Sequence, residues 1–179
     1  MLKKILLISI LFSTLLNAKM YSDIKYSTLD YKDKDINKNF KLNGYKLSIG
    51  YMSENFSFAD VGVESSIATD RGTKIPSITL EDETVITDAH VDIDFLYAVH
   101  LKITRPIVDI LYGNLYFGLD YAKISSSAIG NNNSSRWEGS YSYGIGLEYW
   151  IPLGVSIQLN YMSYFNNLDA MEFGFGLKF

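Results

Sequence analysis

The segment Met171–Phe179 alternates without a break. Met171, Phe173, Phe175, Leu177 and Phe179 occupy odd positions, and Glu172, Gly174, Gly176 and Lys178 occupy even ones. A period of two puts each set on its own face of a β-strand, one bulky and apolar, the other small or charged. A helix is excluded, because residues two apart lie on nearly opposite sides of it and the aromatics would be smeared around the axis. A flat apolar strand left uncovered templates aggregation. Whatever sheet this strand joins must therefore supply an apolar surrounding for its oily face.

The same alternation recurs over residues 20–28, 45–51, 56–65, 93–103, 115–121, 141–149 and 155–161, which predicts eight strands in all. In one, Tyr45, Leu47, Ile49 and Tyr51 oppose Lys46, Ser48 and Gly50; in another, Tyr141, Tyr143, Ile145, Leu147 and Tyr149 oppose Ser142, Gly144, Gly146 and Glu148. The expected connections differ in length. Asp30–Gly44, Ser66–Asp92 and Lys123–Ser140 read as long polar loops, Met52–Asn55 and Trp150–Gly154 as short turns, and Thr104–Val108 and Met162–Ala170 as intermediate. Short connections on one rim and longer ones on the other describe an up-and-down antiparallel barrel.

Volume decides which face points outward. Each predicted strand offers about four or five large apolar side chains, whereas an eight-stranded barrel has room for little more than one filling of side chains or one small ligand. The opposite faces carry Gly50, Gly62, Gly118, Gly144, Gly146, Gly174 and Gly176 with serines and a few ions, which suit a narrow lumen. The apolar set then faces hydrocarbon. Tyr26, Tyr45, Tyr51, Tyr121, Tyr141, Tyr149, Trp150 and Tyr161 fall near strand ends, where an amphipathic ring meets lipid headgroups.

The N-terminus agrees with export. Lys3 and Lys4 precede an apolar run from Ile5 to Leu16, and Ala18 offers a cleavage point. Residues 1–18 are read as a signal peptide and 19–179 as one barrel domain. Loss of both lysines takes the formal charge from −4 to −6, which argues against nucleic acid as a partner. The chain has no cysteine, so a closed hydrogen-bonded sheet must do what disulfides do in many small exported domains.

In these features the chain resembles the small outer-membrane barrels of the OmpX/OmpA type. The likeness is sharpest at the end, where Glu172, Gly174, Leu177 and Phe179 match the spacing of the family's terminal assembly signal. The resemblance implies an eight-stranded transmembrane β-barrel in the outer membrane. It also implies contact with lipid and lipopolysaccharide, and recognition of the last strand by the barrel-assembly machinery. It stops at the barrel and does not extend to a peptidoglycan-binding domain.

Inward parity belongs to Lys25, Lys46, Asp94, His100, Lys102, Asp120, Glu148, Glu172 and Lys178. Enclosed charges need partners, so these residues are expected to form a network, with Lys46 or Lys25 reaching Glu172 across the closure. Asp88, His90, Asp92 and Asp94 share one parity, but only two residues of such a row can reach one ion, so no metal site is assigned. His90 with Ser66 or Ser77 is a conceivable catalytic pair for lipid A chemistry; the spacing alone defines no triad, and neither catalysis nor a cofactor is assigned. The polar stretches Asp30–Gly44 and Ser125–Ser135 are the expected contact surfaces for an extracellular ligand. The reading is a structural or surface-interacting outer-membrane protein. A lipid-A-modifying enzyme and a soluble periplasmic lipocalin-like carrier are the alternatives.

Overall fold

The computed structural model describes residues 19–33, 38–53, 58–72, 75–79, 85–129, 131–165 and 167–179; residues 1–18, read as a leader, lie outside these. The strands are β1 (Lys19–Asp33), β2 (Lys38–Ser53), β3 (Asp60–Gly72), β4 (Ile75–Thr79), β5 (Val85–Val108), β6 (Leu111–Ile129), β7 (Asn131–Ile151), β8 (Val155–Ser163) and β9 (Leu168–Lys178). All pairings are antiparallel. β1 lies between β2 and β9, and β3 pairs with β5, so eight strands close into an up-and-down barrel. β4 stands outside this ring and pairs with β5 alone.

Closure fixes both ends of the described chain at the short-turn rim. Lys19 stands opposite Met52, and the Phe179 amide donates to the Met20 carbonyl at 3.0 Å. The turn from β7 to β8 is tight enough to need positive φ at both Leu153 (90°) and Gly154 (76°). Glycine adopts that conformation freely, whereas leucine does so only under strain.

The apolar face points outward. On β9, Phe173, Phe175 and Leu177 are 50–52% exposed while Glu172, Gly174 and Gly176 are buried. The same holds for Tyr45, Leu47, Ile49 and Tyr51 on β2 and for Tyr143, Ile145, Leu147 and Tyr149 on β7. From Met171 to Phe179 the oily stripe covers about 26 Å of strand, which tilt shortens to the height of an outer-membrane hydrocarbon layer. Tyr26 and Tyr45 meet edge to face at 5.7 Å, and Tyr121 stacks on Trp137 at 4.9 Å, forming parts of an aromatic girdle on the long-hairpin side.

Above that girdle the strands continue, contrary to the expected loops. The Asp30–Gly44 stretch is mostly paired strand, since β1 runs to Asp33 and β2 begins at Lys38. Lys123–Ser140 is likewise a hairpin of β6 and β7, and Ser66–Asp92 holds the end of β3, all of β4 and the start of β5. Inside and outside exchange chemistry at this level. Asp30, Lys32, Lys41, Asn43 and Arg71 now point to solvent, and Leu29, Tyr31, Phe40, Leu42, Ile93, Ile124, Phe165 and Leu168 fill the interior as a buried apolar cluster. The expectation of a lumen of glycines and ions describes the membrane-embedded part better, although Tyr21, Met52 and Tyr116 are buried there with them. Once water replaces lipid outside, the driving force reverses and apolar groups go in.

Candidate functional site

The lumen charges form three linked groups. At the centre, Lys46 on β2 donates to both oxygens of Glu172 on β9 at 2.9 Å, and to the Tyr164 hydroxyl at 3.0 Å. Tyr164 donates in turn to Glu172, as does Asn160. Nearby, Lys25 bonds Asp23 at 2.6 Å and lies 3.8 Å from Glu64, which also accepts from the Tyr21 hydroxyl. Tyr21 reaches Glu64 by passing over Gly50, where a Cβ would sit 2.4 Å from the ring. Toward the short-turn mouth, Lys102 meets Glu148 at 3.1 Å. Glu148 accepts further bonds from Asn114, Ser156 and Gln158, and the Lys102 ammonium sits 4.7 Å from the Tyr21 ring centre.

Three lysines thus face four carboxylates, Asp23, Glu64, Glu148 and Glu172, all buried. Each anion is met by an ammonium or by several hydrogen-bond donors, the condition under which enclosed charge is tolerated. The network ends in a cavity of about 290 Å³ at the mouth, where Lys102, Glu148, Tyr21, Trp150 and Lys178 contribute to its walls.

The other expected residues stand elsewhere. Asp94 points outward and is exposed, because a bulge between Ile93 and Phe95 inserts a residue into β5 and turns the side-chain parity over. Its carboxylate accepts from Ser125 at 2.6 Å and lies 3.4 Å from Lys123; these contacts hold its pKa below the usual carboxylate range. Lys178 stands half-exposed at the mouth with its ammonium 5.7 Å from the Trp150 ring centre, where the lumen already opens to solvent. Asp120 is buried but bonds the Ser140 amide rather than a cation. Asp23 and Glu64 were missed by the sequence reading as network members, although both lie on the inward parity of their strands.

The two histidines differ. His100 is buried and its Nε2 lies 3.0 Å from the Ser142 hydroxyl, a serine brought from β7 that no sequence spacing disclosed. Its Nδ1 has no hydrogen-bond partner among the described residues, and its ring meets Tyr116 edge to face at 6.0 Å. His90 lies on the outer face, 3.2 Å from Asp92. The side chains of Asp88 and Ser77 lie outside the described residues. Among those described, no three metal-ligating side chains converge. In the terminal motif, Glu172 and Gly174 face the lumen, and Leu177 and Phe179 face outward.

A closed antiparallel ring, an oily exterior and an ion-lined interior define an integral outer-membrane β-barrel. The chain belongs to the outer membrane protein beta-barrel domain family, whose profile matches residues 13–179. Its place is the outer membrane. Among curated proteins no sequence match reaches significance. Solved structures share the fold at low identity. The attachment invasion locus protein Ail of Yersinia pestis, crystallised with the heparin analogue sucrose octasulfate, is 21% identical with a TM-score of 0.62 over 91% of this chain and 99% of its own. Neisserial surface protein A is 14% identical, with a TM-score of 0.54 over 89% of this chain and 95% of its own. The N-terminal barrel domain of Pseudomonas aeruginosa OprF is 16% identical, with a TM-score of 0.51 over 90% and 99%. In such barrels short turns face the periplasm and long hairpins face the exterior.

Proposed function

We propose that the protein acts at the cell surface by strand addition to its extracellular sheet. One observation carries this reading. β7 pairs with β8 only from Tyr143 downward, so among the described residues the upper part of β7 pairs with β6 alone, and its stretch beyond Trp137, residues 131–136, presents an open edge above the girdle. β4, β5, β6 and β7 are consecutive neighbours in the sheet there, on one side of the barrel. An unpaired strand edge offers backbone donors and acceptors to an extended peptide segment of another protein. The fold shared with Ail makes attachment to a host surface the first setting to examine.

The test compares attachment of cells displaying the intact chain with cells displaying a variant in which residues 126–134 are replaced by a two-residue turn. Heat-modifiable gel migration reports whether each barrel is folded. Attachment should fall to background in the folded variant, and equal attachment would refute the reading.

Export by a cleaved leader, residues 1–18, belongs to the same proposal and predicts a mature chain beginning at Lys19. So does recognition of Glu172, Gly174, Leu177 and Phe179 by the assembly machinery. Phe179→Ser should leave the barrel able to fold but slow its arrival in the outer membrane; normal levels in pulse-chase fractionation would contradict that role. The proposal assigns no catalysis. Ser66 stands opposite Ala98, eight residues along β5 from His90 and about 25 Å of strand away, so these two cannot act together.

A further inference from the structure

The outward face of the extracellular sheet carries a cleft that strand addition does not use. It encloses about 330 Å³ and is lined by His90, Asp92, Lys123 and five serines of β6 and β7. Register explains the gathering. His90 stands opposite Ser127, Asp92 opposite Ser125, and Ser125 opposite Ser135, so one outward row crosses three strands. The bulge at Asp94 makes this possible, because it turns His90 and Asp92 outward while Val91 and Ile93 go into the core.

The charged groups here already have partners. His90 Nδ1 lies 3.2 Å from Asp92, and Lys123 lies 3.4 Å from Asp94. What remains for a ligand is hydroxyl groups. Ser126 and Ser134, on the opposite side-chain parity, share a 2.7 Å hydrogen bond, and Ser127 and Ser135 hold no side-chain hydrogen bond among the described residues. Next to the cleft, opposite Lys123, Trp137 stacks on Tyr121 and is 53% exposed. A flat ring beside several hydroxyls suits a sugar: the ring packs against its C–H face and the serines exchange hydrogen bonds with its hydroxyls.

We propose that this cleft binds a saccharide, recognised by hydroxyls and an aromatic platform rather than by charge. Trp137 and Tyr121 belong to the girdle at the membrane surface, so the cleft sits at the height of outer-leaflet headgroups. The sugar is therefore either the head of a membrane glycolipid or a free glycan of the same chemistry.

The protein is tested in phosphatidylcholine nanodiscs with Trp150→Phe, which leaves Trp137 as the only tryptophan of the two in the chain. The probe is dephosphorylated oligosaccharide released from lipopolysaccharide, and a second arm incorporates whole lipopolysaccharide in the disc. A saturable change in Trp137 fluorescence is expected. With the free sugar it identifies a glycan site; in the lipid arm alone it identifies a glycolipid site. Raising the salt to physiological strength should leave the affinity nearly unchanged. Combined Ser125→Ala, Ser127→Ala and Ser135→Ala should weaken binding by about tenfold or more, and the corresponding threonine variant should retain most of it. Absence of saturation in both arms, loss of binding with salt, or an alanine variant that is folded on unboiled gels and binds like its parent would overturn the proposal. Ser135 and Trp137 lie on the same strand as the β7 edge, but these outcomes read their side chains and not its backbone, so either reading can fail alone.

Discussion

Lys46→Met isolates the energetics of the lumen. The ammonium lies 2.9 Å from both Glu172 oxygens, and the two side chains are 2% and 1% exposed. Methionine preserves length and volume but removes the charge. Glu172 is then enclosed with only the Tyr164 hydroxyl and the Asn160 amide as donors. Stranding one member of a buried pair costs about 3–5 kcal/mol. Adding Glu172→Leu removes the stranded charge, and replacing both members with apolar groups is often near neutral. Tyr164 and Asn160 lose an acceptor in the double variant, so it should fall short of the parent by about 1–2 kcal/mol. As a control, Lys123→Met removes a pair whose side chains are 38% and 40% exposed, and it should cost under about 1 kcal/mol. Urea titration in phospholipid vesicles, read by tryptophan fluorescence and by migration without boiling, gives all four stabilities. The expected order is parent, then control, then double variant, with Lys46→Met lowest. The reasoning fails if Lys46→Met unfolds at the parent's midpoint, or if the double variant is weaker than the single.

Other variants probe other levels of the structure. Phe173→Arg puts a charge into the hydrocarbon and should destabilise by about 2–4 kcal/mol, while Asn43→Arg, above the girdle, should cost little; the same urea titration compares them. Gly50→Val forces the Tyr21 ring aside from its contact with Glu64 and should cost about 1–3 kcal/mol, less if Tyr21→Ala is already present. Ser125→Ala removes the main contact holding the Asp94 pKa down, so its carboxyl should titrate closer to the ordinary carboxylate range, followed by carbonyl NMR through acid pH.

The barrel itself was legible because lipid and lumen impose opposite demands on alternate residues. Phe173, Phe175 and Leu177 could be read against Gly174 and Gly176 without knowing a single partner. The strands' upper halves were not legible, for a related reason. From Leu29 and Leu42 upward the outside turns polar and the inside apolar, so a reader following lipid-facing aromatics takes Asp30–Gly44 for a loop. Asp94 was misplaced because a bulge leaves no mark in composition, yet reverses every side chain on one side of it. His100 and Ser142 are 42 residues apart and meet only through strand pairing, which parity does not supply. Asp23 and Glu64 had the right parity; their roles depend on which strands face each other across the ring.

The division of the lumen bears on the whole envelope. Its periplasmic end opens through the cavity beside Lys102 and Glu148, while toward the outer end Leu29, Tyr31, Phe40, Leu42 and their neighbours fill the interior with apolar side chains. Among the described residues the ion-lined part of the tube thus opens toward one side of the membrane and ends in apolar packing toward the other, so periplasmic water lies nearer its charges than exterior water does.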